Sequence, residues 1–182
     1  MRLILVRHAQ VDPRADVAPH EWQLSERGRR DAEALARWPG WNGVTVVASS
    51  SEPKAVETAT PIAAAAGVEL PVEDDLREVR RGSELLSHEA HVARVSAYLE
   101  GASVRGWEPW EQARRRITAC IDRLVADAVG DVAVISHGVV LSVFLGLSAQ
   151  EWERIPFPAI AVLQGSGLAI RQPFVGLQDP TP

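Results

Sequence analysis

The chain has 182 residues, of which 46% are hydrophobic and 24% are charged, the composition of an ordinary globular protein that can bury a sizeable core. Its net charge of −5 argues against nucleic-acid binding, which needs a basic face, so a positively charged site must be local. No apolar segment approaches the roughly 20 residues of a membrane span, and no secretory leader is apparent, which indicates a cytoplasmic protein. A single cysteine, Cys120, excludes an intramolecular disulfide, and its place on an apolar helical face predicts a buried thiol.

The first predicted element is a strand at Leu3–Val6, which ends abruptly in Arg7 and His8. A short apolar run stopped by polar residues is typical of a buried strand in a parallel sheet, and ligands bind beyond the carboxyl ends of such strands. Arg7 offers a planar, permanently charged fork for a phosphate or carboxylate, and His8 offers a nucleophile or a base. The next segment, Val11–Gln23, is a polar loop long enough to act as a lid over a site.

The rest of the chain alternates between strand and helix signals. This alternation predicts one α/β domain over residues 1–182, a three-layer α/β/α fold with a mostly parallel central sheet and helices on both faces. The predicted elements are a helix capped by Ser25 and stopped by Pro39, a strand at Val44–Ala48, a helix capped by Ser51 and ended by Gly67, a short strand at Val68–Val72, a helix at Glu84–Tyr98, a helix from Pro109 to Val129, a strand at Asp131–Ser136, a helix at Val139–Leu147, a strand pair at Ala159–Leu163 and Leu168–Arg171, and a loosely held tail at Gln172–Pro182.

Two further positions join His8 as candidates for chemistry. Lys54, the only lysine of the chain, lies in the first turn of the helix after Ser49–Ser51, where hydroxyls and backbone N–H groups can bind an anion. His137 follows the strand Asp131–Ser136 just as His8 follows the first strand. Because the carboxyl ends of parallel strands share one edge of a sheet, these residues and Glu78 can converge there.

The convergence has two interpretations, a metal site or a phosphate pocket. Nearby cations repel a metal ion, and neither histidine is paired with a carboxylate in the sequence, so the pattern favours phosphate, with one imidazole attacking phosphorus. Neighbouring positive charge also lowers the pKa of a histidine and keeps a nucleophile unprotonated. A second histidine pair, His88 and His91, lacks a third ligand in view, and we interpret both as surface residues.

The sequence resembles the histidine phosphatases, also called the phosphoglycerate mutase-like superfamily. Five stretches carry the resemblance, in family order and across about three quarters of the chain. They are Leu3–Gln10 (LILVRHAQ), Leu24–Ala34 (LSERGRRDAEA), Ser49–Ala59 (SSSEPKAVETA), Leu76–Gly82 (LREVRRG) and Val134–Gly138 (VISHG). The first, third and last stretches are specific to this family when they occur together.

The resemblance implies a role for each matching residue. His8 would be the phosphorylated nucleophile, and Arg7 and His137 would bind the phosphoryl group. Lys54 falls where the family usually has a second phosphate-binding arginine. Glu78 would be the acid that protonates the leaving oxygen and then the base that activates water, an assignment that rests on the resemblance alone. No metal or other cofactor is implied.

Three departures from the family pattern bear on specificity. Ala9 replaces a glycine beside the nucleophile, and Lys54 keeps the charge of arginine but loses its bidentate fork. The asparagine that often follows the histidine motif is missing from Val11–Gln23. We therefore expect an altered substrate preference, with the nucleophile and the acid retained.

The expected activity is that of a phosphomonoesterase acting through a phosphohistidine on a small phosphorylated substrate whose identity, like the oligomeric state, the sequence does not specify. Two alternatives stay open: a phosphoglycerate-type mutase, which the modest segment between Gly82 and Asp131 disfavours, and a phosphate-binding relative with weak catalysis, which Ala9 and Lys54 motivate. Val11–Gln23, the helix from Glu84 and the Trp107–Trp110 segment are expected to form the rim of the pocket.

Overall fold

The structure is a computed structural model that describes residues 1–82, 86–165 and 169–176. No helix among these residues is long and apolar enough to cross a membrane. The strands are β1 (Arg2–Arg7), β2 (Val44–Ser50), β3 (Val72–Glu73), β4 (Asp131–Ser136), β5 (Ala159–Gln164) and β6 (Ala169–Gly176), and the helices are α1 (Glu26–Leu35), α2 (Pro53–Ala66), α3 (His88–Leu99), α4 (Trp110–Asp127), α5 (Gly138–Leu145) and α6 (Ala149–Glu153).

The six strands form one sheet in the order β3-β2-β4-β1-β5-β6. The pairs of β2 with β3, β2 with β4, and β1 with β4 are parallel, whereas β5 is antiparallel to β1 and β6 is antiparallel to β5. The predicted mostly parallel sheet and the terminal strand pair are therefore confirmed. Because β4 lies between β1 and β2, the carboxyl ends of all three strands meet at one edge.

Helices cover both faces of the sheet, which confirms the three layers. Leu3 and Leu5 of β1 belong to an apolar cluster with residues of α3, α4, α5 and α6, whereas Ile4 and Val6 belong to a second cluster with residues of α1 and α2. All four side chains are 0% exposed. This burial on both faces explains the unbroken apolar run, and each such side chain contributes about 1.5–3 kcal/mol to stability.

Most helix ends follow local chemistry, with two corrections. Ser25 caps α1 by accepting a bond from the Gly28 N–H, and Gly67 ends α2 with a left-handed φ of 68°. Ser51 was expected to cap α2, but the residue before that helix is Glu52, and the Ser51 hydroxyl instead donates to Asp74 at 2.6 Å.

The second correction concerns the helix expected at Glu84–Tyr98. It begins at His88, because the Ser87 hydroxyl accepts from the Ala90 N–H and caps it there. Residues 83–85 lie outside the described residues, so Glu84 is not described.

Strand boundaries at the two edges of the sheet also differ from expectation. Of the strand expected at Val68–Val72, only Val72 pairs with β2, because Pro71 has no N–H to donate and offers only its carbonyl, to Ser49. At the other edge β6 extends through Gly176, so the first part of the tail expected to be loosely held is paired with β5. Residues 166–168 and 177–182 lie outside the described part of the chain.

Candidate active site

A cavity of about 820 Å³ opens at the edge where β1, β2 and β4 end. The segments that follow these strands, together with the loop after β3, supply its polar wall. All five residues predicted from the sequence line it: Arg7, His8, Lys54, Glu78 and His137. The structure therefore brings together groups that lie far apart in the chain.

His8 lies beside His137, with the centroids of the two rings 5.1 Å apart. The Nδ1 atom of His8 is 2.7 Å from the carbonyl oxygen of Ala9. Because a carbonyl only accepts, Nδ1 carries the proton and the lone pair is on Nε2. Burial, and secondarily the charge of Lys54, holds the pKa of His8 well below its ordinary value. The imidazole is thus neutral at neutral pH, with an unprotonated Nε2.

Arg7 is held from two sides. Its Nη1 donates to the Ile155 carbonyl, and its guanidinium carbon lies 3.4 Å from the centroid of the Phe157 ring. Burial lowers its pKa to about 10, which leaves it charged at neutral pH. The buried Nε–H has no partner among the described residues. A Cβ atom on Gly138 would lie 3.0 Å from this Nε, so glycine allows the guanidinium to pack closely against the start of α5.

His137 is completely buried. Its Nε2 is 2.8 Å from the Ser50 hydroxyl, and burial together with the neighbouring His8 and Lys54 holds its pKa well below the ordinary value. The Ser50 oxygen also accepts from the Glu52 N–H, and a Ser50 proton donated to His137 Nε2 would place the proton of the neutral ring on Nδ1. This Nδ1 is a buried atom without a partner in the described structure. Arg7 Nε and His137 Nδ1 are thus two buried polar atoms without partners among the described residues, and both side chains line the cavity.

Lys54 is paired with a residue that the sequence did not single out. Its ammonium group contacts the Glu52 carboxylate and donates to the Pro19 carbonyl at 2.8 Å, and both charged side chains are over nine-tenths buried. The other Glu52 oxygen accepts from the Glu78 N–H at 2.9 Å and lies 3.7 Å from His137 Nε2. The phosphate pocket expected from two cations thus also contains a buried carboxylate.

Glu78 lies at the amino-terminal end of α5. One carboxylate oxygen accepts from the Val140 N–H at 2.8 Å and from its neighbour Val79 at 2.9 Å, and the other accepts from the Val139 N–H at 3.1 Å. These bonds satisfy N–H groups that have no partner within the helix. They also fix the carboxyl group on the helix that begins next to His137.

The backbone around Glu78 is held by Arg116 of α4. The guanidinium donates to three carbonyl oxygens of this segment, on Asp75, Arg77 and Glu78, at 2.8, 2.8 and 3.1 Å. Its remaining bonds go to Glu108, whose carboxylate also accepts from the Arg80 N–H. Arg116 thus positions Glu78 without entering the cavity. The run of three arginines at 114–116 does not indicate which of them has a largely buried side chain, and that residue is Arg116, whose side chain is 10% exposed.

The other predicted rim residues are only partly placed at the cavity. The loop Val11–Gln23 lines it, and His20 and Trp22 are among the lining residues. His88 and His91 of α3 also line it, and His91 is half-buried rather than a surface residue, because Arg81 and two tryptophans surround it. The expectation that Trp107–Trp110 borders this cavity is wrong, since Trp107 packs on Tyr98 and borders a smaller cavity.

The prediction that Cys120 is buried is confirmed, and burial raises the pKa of its thiol to about 11. Among the described residues, no group of three or more His, Cys, Asp or Glu side chains is arranged to hold a metal ion.

The sequence analysis missed two residues of the cavity wall, Trp152 and Phe157. An aromatic residue near a proline has many packing roles, so neither residue had a pattern that distinguishes a site residue from a core residue.

Removing the Glu52 charge is expected to strengthen anion binding. Glu52→Gln should bind inorganic phosphate roughly tenfold more tightly at pH 7, about 1.4 kcal/mol, because a carboxylate next to Lys54 no longer repels the anion. Calorimetric titration with phosphate measures the effect. Glu57→Gln, which removes a carboxylate of α2 that is paired with Arg29 of α1, is the control and should leave the affinity unchanged. Weaker binding by Glu52→Gln would instead show that Glu52 is needed to hold Lys54 in place.

Comparisons with known proteins identify the family of this chain. The family model of the histidine phosphatase superfamily (branch 1) matches residues 3–164. A mycobacterial glucosyl-3-phosphoglycerate phosphatase solved with VO3 is 23% identical, covers 96% of this chain and 98% of its own, and has a TM-score of 0.78. YhfR from Bacillus stearothermophilus is 17% identical, with coverages of 98% and 99% and the same TM-score of 0.78.

A third similar structure is a histidine-to-alanine mutant of a phosphoserine phosphatase from Entamoeba histolytica, in complex with phosphoserine. It is 16% identical, covers 97% of this chain and 98% of its own, and has a TM-score of 0.73. No curated protein matches the sequence. The structural likenesses establish the phosphoglycerate mutase-like fold, and the family model covers most of the sequence, including β1, β4 and all five candidate residues. The chain therefore belongs to branch 1 of the histidine phosphatase superfamily.

Proposed function

We propose that the protein is a phosphomonoesterase that works through a phosphohistidine at His8 on a small phosphorylated substrate. The observation that carries the proposal is that Arg7 Nε and His137 Nδ1 are buried without partners among the described residues, while both side chains line the cavity that contains the neutral imidazole of His8. Buried donors without partners are costly, and an anion bound next to Nε2 would satisfy them. The similar structures include two phosphatases of phosphorylated small molecules, which supports the same chemistry.

The first half of the reaction transfers the phosphoryl group to the enzyme. The lone pair on His8 Nε2 attacks phosphorus, an N–P bond forms and the P–O bond to the alcohol breaks. Glu78, acting as the acid, gives its proton to the leaving oxygen, and the neutral alcohol departs. Arg7, Lys54 and His137 stabilise the negative charge on the equatorial oxygens.

The second half returns the enzyme to its starting state. Water attacks phosphorus while Glu78 accepts one of its protons, an O–P bond forms and the N–P bond breaks. Inorganic phosphate leaves, His8 is neutral again and Glu78 carries the proton for the next cycle. Splitting the displacement into two steps replaces one difficult reaction with two easier ones.

A labelling experiment tests the proposal and separates it from the alternatives. The protein is incubated with phosphomonoesters labelled with ³²P, quenched in acid or in alkali, and assayed for protein-bound label and free phosphate. We expect phosphate release together with a protein-bound label that is lost in acid and survives alkali, which is the behaviour of a phosphohistidine. An acid-stable label would place the phosphoryl group on another residue type. Turnover that requires a bisphosphorylated primer and releases little phosphate would indicate a mutase, and binding without release would indicate a non-catalytic relative.

A further inference from the structure

The ring of His8 is oriented by a carbonyl group of its own loop. The Nδ1–H of His8 donates to the Ala9 carbonyl at 2.7 Å, and this bond leaves the lone pair on Nε2. Ala9 is 0% exposed, so its backbone groups need partners within the protein. Because a ring is only as well aligned as the group that accepts its hydrogen bond, the direction of Nε2 depends on what holds the backbone at Ala9.

Two neighbouring elements hold the backbone that follows β1. The His8 N–H donates to the Ser136 carbonyl of β4 at 3.0 Å. The Ala9 N–H donates to the Thr58 hydroxyl of α2, also at 3.0 Å. The first of these bonds joins two main chains, whereas the second depends on a side chain. Thr58 is therefore the position at which a substitution would release the backbone at Ala9.

The Thr58 hydroxyl uses both its proton and its oxygen. The oxygen accepts from the Ala9 N–H, and the proton goes to the Lys54 carbonyl at 2.7 Å, since a carbonyl only accepts. Thr58 is 0% exposed, so bulk water does not compete for either partner. Three hydrogen bonds thus run in series from the His8 ring, through Ala9 and Thr58, to the Lys54 carbonyl.

Helix α2 places Thr58 one turn after Lys54, and residues four positions apart lie on the same face of a helix. The face that carries the Lys54 ammonium group therefore also carries the hydroxyl that holds the loop of His8. The two groups are close enough to interact, because the charge of Lys54 is, after burial, the second cause of the lowered pKa of His8. One rigid helical turn thus links the position of the cation to that of the imidazole.

We propose that Thr58 is the positioning residue that aligns His8 Nε2 with the phosphorus atom of the substrate. Its hydroxyl holds the Ala9 N–H, and the Ala9 carbonyl in turn sets the plane and the tautomer of the imidazole. His8 is the nucleophile of the first half-reaction and the leaving group of the second, so both steps need this alignment. A displacement of about 1 Å from the productive geometry can cost roughly 100-fold in rate. The inference rests on the proposed phosphomonoesterase activity and adds to it the residue that orients the nucleophile.

The kinetic test removes the hydroxyl and keeps the shape of the side chain. Thr58→Val should lower the rate constant for formation of the acid-labile phosphoenzyme at least about tenfold, while the calorimetric affinity for inorganic phosphate changes less than about threefold. Thr58→Ser, which keeps the hydroxyl, should stay within about threefold of the wild-type rate. Thr58→Ala also removes the hydroxyl, places no methyl group against the Ala9 N–H, and takes the place of Thr58→Val if that variant does not fold.

Two controls on α2 separate alignment from stability. Thr60→Val removes a threonine hydroxyl that donates to the Val56 carbonyl on an exposed part of the helix. Ile62→Val removes one carbon atom from a side chain that is 0% exposed, which lowers stability without touching the loop of His8. Both controls should keep the wild-type rate of phosphoenzyme formation at a temperature well below their unfolding transitions.

A spectroscopic measurement keeps the test independent of turnover. In protein labelled with ¹⁵N at histidine, the signals of His8 are assigned by their absence from His8→Ala. At neutral pH the wild type, Thr58→Ser and Thr60→Val should show a protonated Nδ1 and an unprotonated Nε2 on His8. Thr58→Val and Thr58→Ala should show the two tautomers of this ring in exchange.

An unchanged tautomer or an unchanged rate of phosphoenzyme formation in Thr58→Val and Thr58→Ala would overturn the positioning role. A loss of rate in Thr58→Ser as large as that in Thr58→Val would also overturn it, because the hydroxyl would then not be the cause. Failure of the phosphomonoesterase proposal would appear differently: the tautomer of His8 would still depend on the Thr58 hydroxyl, but the wild type would release no phosphate from any ester.

Discussion

Replacing His8 with alanine is expected to lower kcat for phosphate release by at least about 10⁴-fold, because the nucleophile that splits the reaction into two steps is lost. The acid-labile protein-bound label should disappear together with turnover. The affinity for phosphate should fall far less than kcat, since Arg7, Lys54 and His137 remain in the pocket. Phosphate release, trapped label and calorimetric affinity, measured on the same preparation, give the three readouts.

Two further variants keep the His8 result interpretable. His8→Asn preserves most of the side-chain volume in this buried position and should show the same loss of turnover without creating a large cavity. His88→Ala removes a histidine from the wall of the same cavity and should retain most of the activity. An acid-labile label that persists in His8→Ala would assign the nucleophile to another histidine of the cavity.

Glu78→Gln is expected to lower kcat by about 10²–10⁴-fold for an alkyl phosphate, the usual contribution of a general acid. The loss should be much smaller for p-nitrophenyl phosphate, because its leaving group is a weak base that departs without a proton. A dependence on the leaving group would not arise if Glu78 only held the backbone of α5, so the comparison of the two substrates is the decisive measurement.

The matched control for Glu78 is Glu153→Gln, which removes a carboxylate from the same cavity wall. It should affect both substrates little. The amide introduced by Glu78→Gln would face N–H donors that the carboxylate now satisfies, so thermal unfolding of each variant should accompany the kinetics. Equal losses for the alkyl and p-nitrophenyl esters would contradict the acid role and leave Glu78 as a structural residue.

The sequence was sufficient to predict that His8 and His137 meet, and the physical reason is the regularity of parallel sheets. Each histidine follows an apolar strand, and the carboxyl ends of neighbouring parallel strands coincide at one edge. Lys54 was predictable in the same way, from its place in the first turn of the helix that follows β2. The pattern of an apolar strand followed by polar residues therefore locates a site even when its residues are far apart in the chain.

The interactions that tune the site could not be predicted, because they depend on side chains from distant elements. Glu52 was indistinguishable from a surface residue until the fold buried it against Lys54 and the Glu78 N–H. Arg116 resembled its two exposed neighbours until α4 packed it against the carbonyl groups that it now binds. Ser51 had the residue type of a helix cap, but α2 begins only after Glu52, and the Ser51 hydroxyl donates to Asp74. Local propensity is a weak guide where tertiary partners compete.

The central position of β4 has a consequence for the synthesis of the protein. On the ribosome β1 and β2 emerge long before β4, yet these two strands share no hydrogen bonds with each other and both pair with it. Until β4 has left the exit tunnel, the apolar strands β1 and β2 lack the strand that pairs with both of them. Unpaired apolar strands are prone to aggregation. The nascent chain is therefore expected to depend on chaperones over most of its length and to acquire phosphate affinity only when β4 inserts.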